Sequence, residues 1–138
     1  MTNDLIKACA LLDAGNYTCV LCKEDATYTA TARGVAPLLY WVNENLDLRG
    51  FSAADRVVGR GAAFLYVLLG VKEVYAHVMS HPAAQVLRDH GIAVSSENYV
   101  EGIINRKGTG PCPFEAAVMD ITDPQKALAA IRQKMAQM

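Results

Sequence analysis

One uninterrupted apolar run lies near the middle of the chain, where every residue from Ala62 to Leu69 is apolar or aromatic. A helix built from this run has no polar face, which is typical of a helix buried on all sides. Gly70 follows the run and suits the left-handed position at the end of a helix. We therefore predict a buried central helix that begins at about Gly59 and is too short to span a bilayer.

The pattern elsewhere predicts helices and strands in alternation. Apolar residues at helical spacing predict a first helix over residues 4–14, capped by Asn3 or Asp4. Apolar and threonine-rich segments at 17–23 and 26–32 predict a hairpin. The later predicted elements are a helix at 37–45, a loop at 46–52, the central helix, a strand at 72–79, a helix at 82–90, a strand at 92–96, an irregular segment at 97–111 with a brief strand at 103–104, a short helix from Pro113 and a last helix from Pro124.

The order of these elements predicts the fold class. After residue 56 a helix, a strand, a helix and a strand follow with short links, which indicates an α/β fold with parallel strands. The initial hairpin adds an antiparallel edge, so the predicted sheet is mixed. No internal repeat or linker interrupts the pattern, and we expect residues 1–138 to form one domain.

Composition narrows the range of functions. The 138 residues are 52% hydrophobic and carry a net charge of −1, with the charges scattered along the chain. Because no basic stripe is present, nucleic acid is disfavoured as a partner. Met1 is followed by polar residues that resemble a helix cap, and no segment has transmembrane length, so we expect a cytoplasmic protein without a membrane partner. In that compartment the four cysteines are expected to be reduced.

The start of the central helix carries the first candidate site. Gly59 and Gly61 each cost a helix about 1 kcal/mol relative to alanine, which suggests either the close approach of a backbone or a ligand, or a helix that begins only at this point. Arg56 and Arg60 oppose the helix dipole there and need an anionic partner. That partner is either a carboxylate of the protein, with Asp55 the nearest, or a bound anion.

A second candidate lies around Cys112, which precedes Pro113 at a predicted helix start where a thiol pKa is lowered. Glu115 occupies the capping-box position three residues later. Asn105 and Arg106 lie upstream across a glycine-rich loop. These residues form either a pocket, with arginines for an anion and Cys112 as nucleophile or contact, or a loop held by structural polar contacts.

The other cysteines and histidines predict no metal site. Cys19 and Cys22 have Cys-x-x-Cys spacing, but within a strand they point to opposite faces. His77 and His81 are four residues apart, yet the predicted strand ends between them. We therefore expect neither a metal nor a cofactor.

Several segments together resemble an uncharacterised prokaryotic family, a domain of unknown function with a cytidine-deaminase-like fold. The segments are 55–63, 70–76, 90–92, 105–106 and 112–115. The resemblance implies a three-layer α/β/α domain and no established reaction. Deaminases place zinc ligands and an acid at two helix starts. The corresponding positions here are Gly59-Arg60-Gly61 and Pro82-Ala83-Ala84-Gln85, which supply neither, so zinc-dependent deamination is not expected.

These observations predict a binding domain for a small anionic ligand such as a nucleotide. Strand-end loops are where α/β sheets bind ligands, and we expect one cleft there. Its predicted members are Arg60, Asn105, Arg106, Cys112 and Glu115, with Asp55 as a further ligand-binding candidate. Two alternatives remain open: a cysteine-dependent enzyme using Cys112 as its catalytic residue, and a homodimeric interaction module.

Overall fold

The structure is a computed structural model that describes residues 2–105 and 107–138. Within those residues the chain forms six helices and a five-stranded mixed sheet. The elements in chain order are α1 (Asn3–Ala14), β1 (Cys19–Lys23), β2 (Ala26–Ala30), α2 (Ala36–Asn43), β3 (Ser52–Val58), α3 (Arg60–Leu69), β4 (Glu73–Ser80), α4 (His81–Asp89), β5 (Ala93–Val100), α5 (Pro113–Ala117) and α6 (Pro124–Ala136).

The strands follow the order β2-β1-β3-β4-β5 across the sheet. β1 pairs antiparallel with β2 and with β3, whereas β3, β4 and β5 are parallel. The predicted hairpin and the predicted parallel pairing of the later strands are therefore both confirmed. Because β3 and β4 end at the same edge of the sheet, the helices that follow them, α3 and α4, begin side by side there.

The middle strand of the sheet, β3, was not predicted from the sequence. Residues 46–52 were predicted as a loop leading directly into the central helix, but Ser52–Val58 form a strand. Most of this strand is buried, so it lacks the alternation of polar and apolar residues that marks a half-exposed strand. Its first four residues are small or polar (Ser52, Ala53, Ala54 and Asp55), so it lacks the enrichment in β-branched residues on which a strand prediction relies.

The central helix α3 is buried as predicted. Ala63, Phe64, Leu65 and Tyr66 are at most 1% exposed, and only Val67 and Leu68 within the apolar run are half-buried. α3 packs against α2, α4, α5 and α6 in the main core. α1 packs separately on β1 and β3 through a smaller apolar cluster.

Several details of the elements differ from the prediction. Thr2, rather than Asn3 or Asp4, caps α1, because its hydroxyl accepts the Leu5 N–H at 3.1 Å. β5 continues to Val100, so residues 97–100 belong to a strand paired with β4 and are not irregular. The predicted strand at 103–104 is reduced to a single bridge between Ile104 and Pro111. No helix in the described ranges is long and apolar enough to cross a membrane.

Candidate functional site

The start of α3 is occupied by a carboxylate of the chain itself. Glu115, from α5, is only 2% exposed, and its Oε2 accepts the backbone N–H of Arg60 at 2.8 Å. Ser80 donates its hydroxyl to the same oxygen, and the N–H of Ile103 donates to Oε1 at 2.6 Å. Ser80 also caps α4, accepting the Ala83 N–H at 3.1 Å. One carboxylate thus joins the starts of α3 and α4 to the loop after β5.

The glycines around this carboxylate make its close approach possible. A Cβ at Gly59 would lie 3.2 Å from Glu115 Oε2, and one at Gly102 would lie 3.3 Å from Oε1. A Cβ at Gly61 would lie 3.1 Å from the backbone oxygen of Phe114. The close approach that Gly59 and Gly61 predicted is therefore made by α5, by its glutamate and, at Gly59, by the Ile103 side chain, which would lie 3.0 Å from the added Cβ.

The side chain of Arg60 turns away from this carboxylate. Its Nε donates to the Val118 carbonyl at 2.9 Å and its Nη2 donates to the Ile121 carbonyl at 2.5 Å. The guanidinium also lies 5.2 Å from the ring centre of Phe64. Val118 follows the last residue of α5, so Arg60 satisfies one carbonyl at the end of that helix and one, of Ile121, in the segment after it.

The other predicted members of the cleft that the structure describes, Asn105 and Cys112, make hydrogen bonds within the loop after β5. The Asn105 side chain bonds to Thr109, accepting its N–H at 3.1 Å and donating to its hydroxyl at 3.2 Å. The backbone N–H of Cys112 donates to the Ile103 carbonyl at 2.8 Å, and its half-buried side chain packs against the main core. Arg106 lies outside the described residues. Of the predicted set, the structure thus brings together Glu115 and the backbone of Arg60.

Asp55 lies in a different environment, against the second turn of α3. Its Oδ2 accepts the Tyr66 hydroxyl at 2.6 Å, and its Oδ1 accepts the Val57 N–H at 3.3 Å. Burial raises the pKa of the Asp55 carboxyl to about 6, although the hydrogen bond from Tyr66 opposes the shift. Burial also raises the pKa of the neighbouring Cys19 thiol, which keeps it protonated.

Arg56 bonds to backbone carbonyls and not to Asp55, the nearest of the carboxylates considered as its partner. Arg56 Nε donates to the Tyr17 carbonyl at 2.7 Å, and its Nη2 donates to the Leu12 carbonyl at 3.0 Å. Arg56 therefore fixes the end of α1 on the sheet, where a cation also complements the helix dipole.

The remaining cysteines and histidines do not form a metal site within the described residues. Cys19 lies in the main core and Cys22 in the cluster under α1, so they point to opposite faces of β1 as predicted. A polar cluster on the α1 side of the sheet was not predicted from the sequence. There His77 lies 3.3 Å from Asp13 and 3.6 Å from Glu97, and the Tyr75 hydroxyl donates to Glu97 at 2.7 Å.

A groove that sequence analysis also missed lies at the opposite end of α3. It has a volume of about 530 Å³ and lies where α2, α3 and α6 meet. Apolar side chains form its floor and polar ones its rim. The lining residues are Val42, Asn45, Leu46, Asp47, Arg49, Leu68, Leu69, Gln125, Leu128 and Arg132. A smaller recess of about 510 Å³ adjoins it across Asp47 and Arg49.

Two cations on the rim of the groove differ in their partners. Arg49 is paired with Asp47, with 2.6 Å between Nη2 and Oδ2. Arg132 instead donates from Nε and Nη2 to the Asn43 side-chain oxygen at 3.0 and 2.8 Å. Asn43 is neutral, and no carboxylate pairs with Arg132 within the described residues. Arg132 is therefore an oriented cation whose charge is not compensated by an ion pair.

The comparisons with known proteins place the chain in a family. Residues 7–135 match the model of a domain of unknown function, DUF1893, so the chain belongs to that family. The crystal structure of a DUF1893 family protein from Thermotoga maritima has the same fold, with a TM-score of 0.84 at 19% identity. The match covers 100% of this chain and 92% of that one. No curated protein matches the chain.

Proposed function

We propose that this protein is a binding domain for a small anionic ligand, built on a deaminase-like three-layer arrangement that has lost its zinc chemistry. The ligand-binding site in this proposal is the groove between α2, α3 and α6. The observation that carries it is Arg132, an oriented guanidinium without an ion pair in the described residues, at the rim of an apolar groove. Ligand sites are typically concave and apolar with a few placed polar groups.

The start of α3 is the weaker candidate for the same ligand. An incoming anion would have to displace Glu115, which already receives donors from Arg60, Ser80 and Ile103. The Arg60 side chain already bonds two carbonyls. The resemblance to deaminases points to this position as their zinc site, and a buried glutamate there supports a structural role.

A cysteine-dependent reaction at Cys112 has less support. A nucleophilic cysteine needs a base within hydrogen-bond reach or a strongly electropositive setting. Within the described residues the Cys112 sulfur has no side-chain hydrogen-bond partner, and the helix it precedes has only five residues. The binding role is therefore the one we favour. A homodimer is a separate proposal, for which a sizing column gives the answer.

Melting curves at constant ionic strength test the anion site. Inorganic phosphate, acetate, adenosine monophosphate and octyl phosphate are added in turn to the wild type, to Arg132→Gln and to Arg33→Gln. Arg33 is an exposed arginine outside the groove and serves as the matched control. We expect at least one anion to raise the melting temperature of the wild type and of Arg33→Gln but not of Arg132→Gln. A rise that survives Arg132→Gln, or no rise with any anion, contradicts the proposal.

A further inference from the structure

We propose that the groove takes a single-headed amphipathic anion, an alkyl carboxylate or alkyl phosphate, whose head meets Arg132 and whose chain covers Val42, Leu46 and Leu68. This inference rests on the proposed anion-binding function and adds the chemical class of the ligand. In this inference a hydrocarbon chain covers the floor of the groove, whereas a bound nucleotide would place its base and sugar there.

The floor of the groove provides the first argument. Val42 and Leu46 come from the end of α2 and the loop directly after it, and Leu68 comes from α3. Each is only half-buried although it packs against the main core. Leu69 and Leu128, also in the lining, are nearly fully buried at 2% and 6% exposure. The exposed apolar surface is thus continuous with the core, and covering it with a hydrocarbon chain removes it from water.

The charges on the rim provide the second argument. The hydrogen bonds from Arg49 lower the pKa of the Asp47 carboxyl to about 2, so Asp47 stays ionised near neutral pH and compensates Arg49. Asn45 and Gln125, the other polar side chains of the lining, are neutral. Arg132 is therefore the single uncompensated cation among the lining residues. One such cation matches one anionic head better than the several charges of a polyphosphate.

The absence of aromatic side chains from the lining provides the third argument. None of the ten residues that line the groove is aromatic. Proteins hold flat bases largely by stacking them on aromatic rings, whereas aliphatic side chains suit a flexible hydrocarbon. The adjoining recess contains Phe51, but that ring is only 7% exposed.

Arg132 also donates a hydrogen bond to Asn43 in the last turn of α2, so its substitution can change stability as well as ligand binding. A cation there complements the helix dipole. A second variant, Leu68→Ser, changes the floor without touching this contact. Val67→Ser is its control because Val67 is also half-buried but does not line the groove.

Calorimetric titration with methyl, butyl and octyl phosphate, the matching carboxylates and octan-1-ol tests the inference, each kept below its micelle concentration. We expect affinity to rise about two- to fourfold for each methylene that reaches the floor. Arg132→Gln should lower the affinity for octyl phosphate at least about tenfold. Leu68→Ser should make the affinity depend less on chain length, whereas Val67→Ser should leave that dependence unchanged. The phosphate and carboxylate arms show which head is preferred.

The outcomes distinguish the amphipathic ligand from the more general proposal of an anion site. If methyl and octyl phosphate bind equally and both need Arg132, the anion site stands and the amphipathic ligand is wrong. If octan-1-ol binds as well as octyl phosphate, or if Arg132→Gln changes nothing, the anion site itself is wrong. If none of these compounds binds, the amphipathic ligand is wrong, and the melting curves with adenosine monophosphate decide whether the anion site stands.

Discussion

The Glu115 carboxylate accepts the backbone N–H of Arg60, the first residue of α3, at 2.8 Å. A carboxylate at this point satisfies one of the unpaired N–H groups at the helix start and complements the dipole. Glu115 also accepts hydrogen bonds from the Ser80 hydroxyl and the Ile103 N–H. It therefore links the starts of α3 and α4 and the loop after β5, which are remote in the sequence. This relationship makes the start of α3 part of the framework of the protein.

Replacement of Glu115 should therefore cost stability. Glu115→Ala leaves the N–H groups of Arg60 and Ile103 and the Ser80 hydroxyl without their acceptor in a buried site. We expect the free energy of unfolding to fall by about 2 to 4 kcal/mol, measured by urea denaturation. Glu101→Ala, at an exposed glutamate nearby, is the control and should change it by less than about 0.5 kcal/mol. Equal effects of the two variants would argue against the role of Glu115.

The side chain of Arg60 should also contribute to stability and not to ligand binding. Arg60→Met retains much of the apolar stem over Phe64 but removes the two bonds to the Val118 and Ile121 carbonyls. We expect a loss of about 2 kcal/mol in the free energy of unfolding, with anion-induced shifts of the melting temperature unchanged. Retained stability together with lost anion binding would instead assign the ligand to the start of α3.

Gly61 should resist substitution in spite of its position within a helix. Alanine is favoured over glycine in helices by about 1 kcal/mol, but its Cβ would lie 3.1 Å from the Phe114 backbone oxygen. We expect Gly61→Ala to lower the free energy of unfolding by about 1 to 2 kcal/mol, because α5 has to shift. Gly110→Ala is the control, since among the described residues no atom beyond the two chain neighbours lies within 4 Å of the added Cβ. A stabilised Gly61→Ala protein would show that α5 packs less closely.

Asp55 should make the stability of the protein depend on pH. Its pKa of about 6 in the folded state exceeds the ordinary value, so its protonated form favours folding. This contribution is complete below about pH 4 and is lost as the pH rises through about 6. Relative to Asp55→Asn, the wild type should lose about 2 to 3 kcal/mol between pH 4 and pH 7 in urea denaturation. A difference that stays constant over this range contradicts the assignment.

Local patterns in the sequence predicted the elements with strong signals. The uninterrupted apolar run from Ala62 to Leu69 predicted α3, and Gly70 at a φ of 84° ends it as expected. The strand β3 has no comparable signal, since its small residues suit close packing between layers and give no periodicity. The middle of the sheet was therefore the hardest element to predict.

The candidate site was predictable in its residues but not in its contacts. Gly59 and Gly61 indicated a close approach, and the residue type of Glu115 was compatible with an anion at a helix start. That these positions meet depends on how the chain folds back after β5, over 55 residues from Arg60 to Glu115. The groove at Arg132 is formed by α6 together with the ends of α2 and α3. A local sequence pattern does not indicate which remote segments pack together in this way.

The most direct test locates a bound anion at one end of α3 or the other. Backbone amide signals of the isotope-labelled protein are followed by NMR during titration with octyl phosphate. We predict shifts confined to the segments that line the groove, residues 42–49, 68–69 and 125–132, while the amides of Arg60 and Ile103 stay unchanged. Shifts concentrated at Arg60 and Ile103 would contradict the account, because they would mean that the ligand displaces Glu115 at the start of α3.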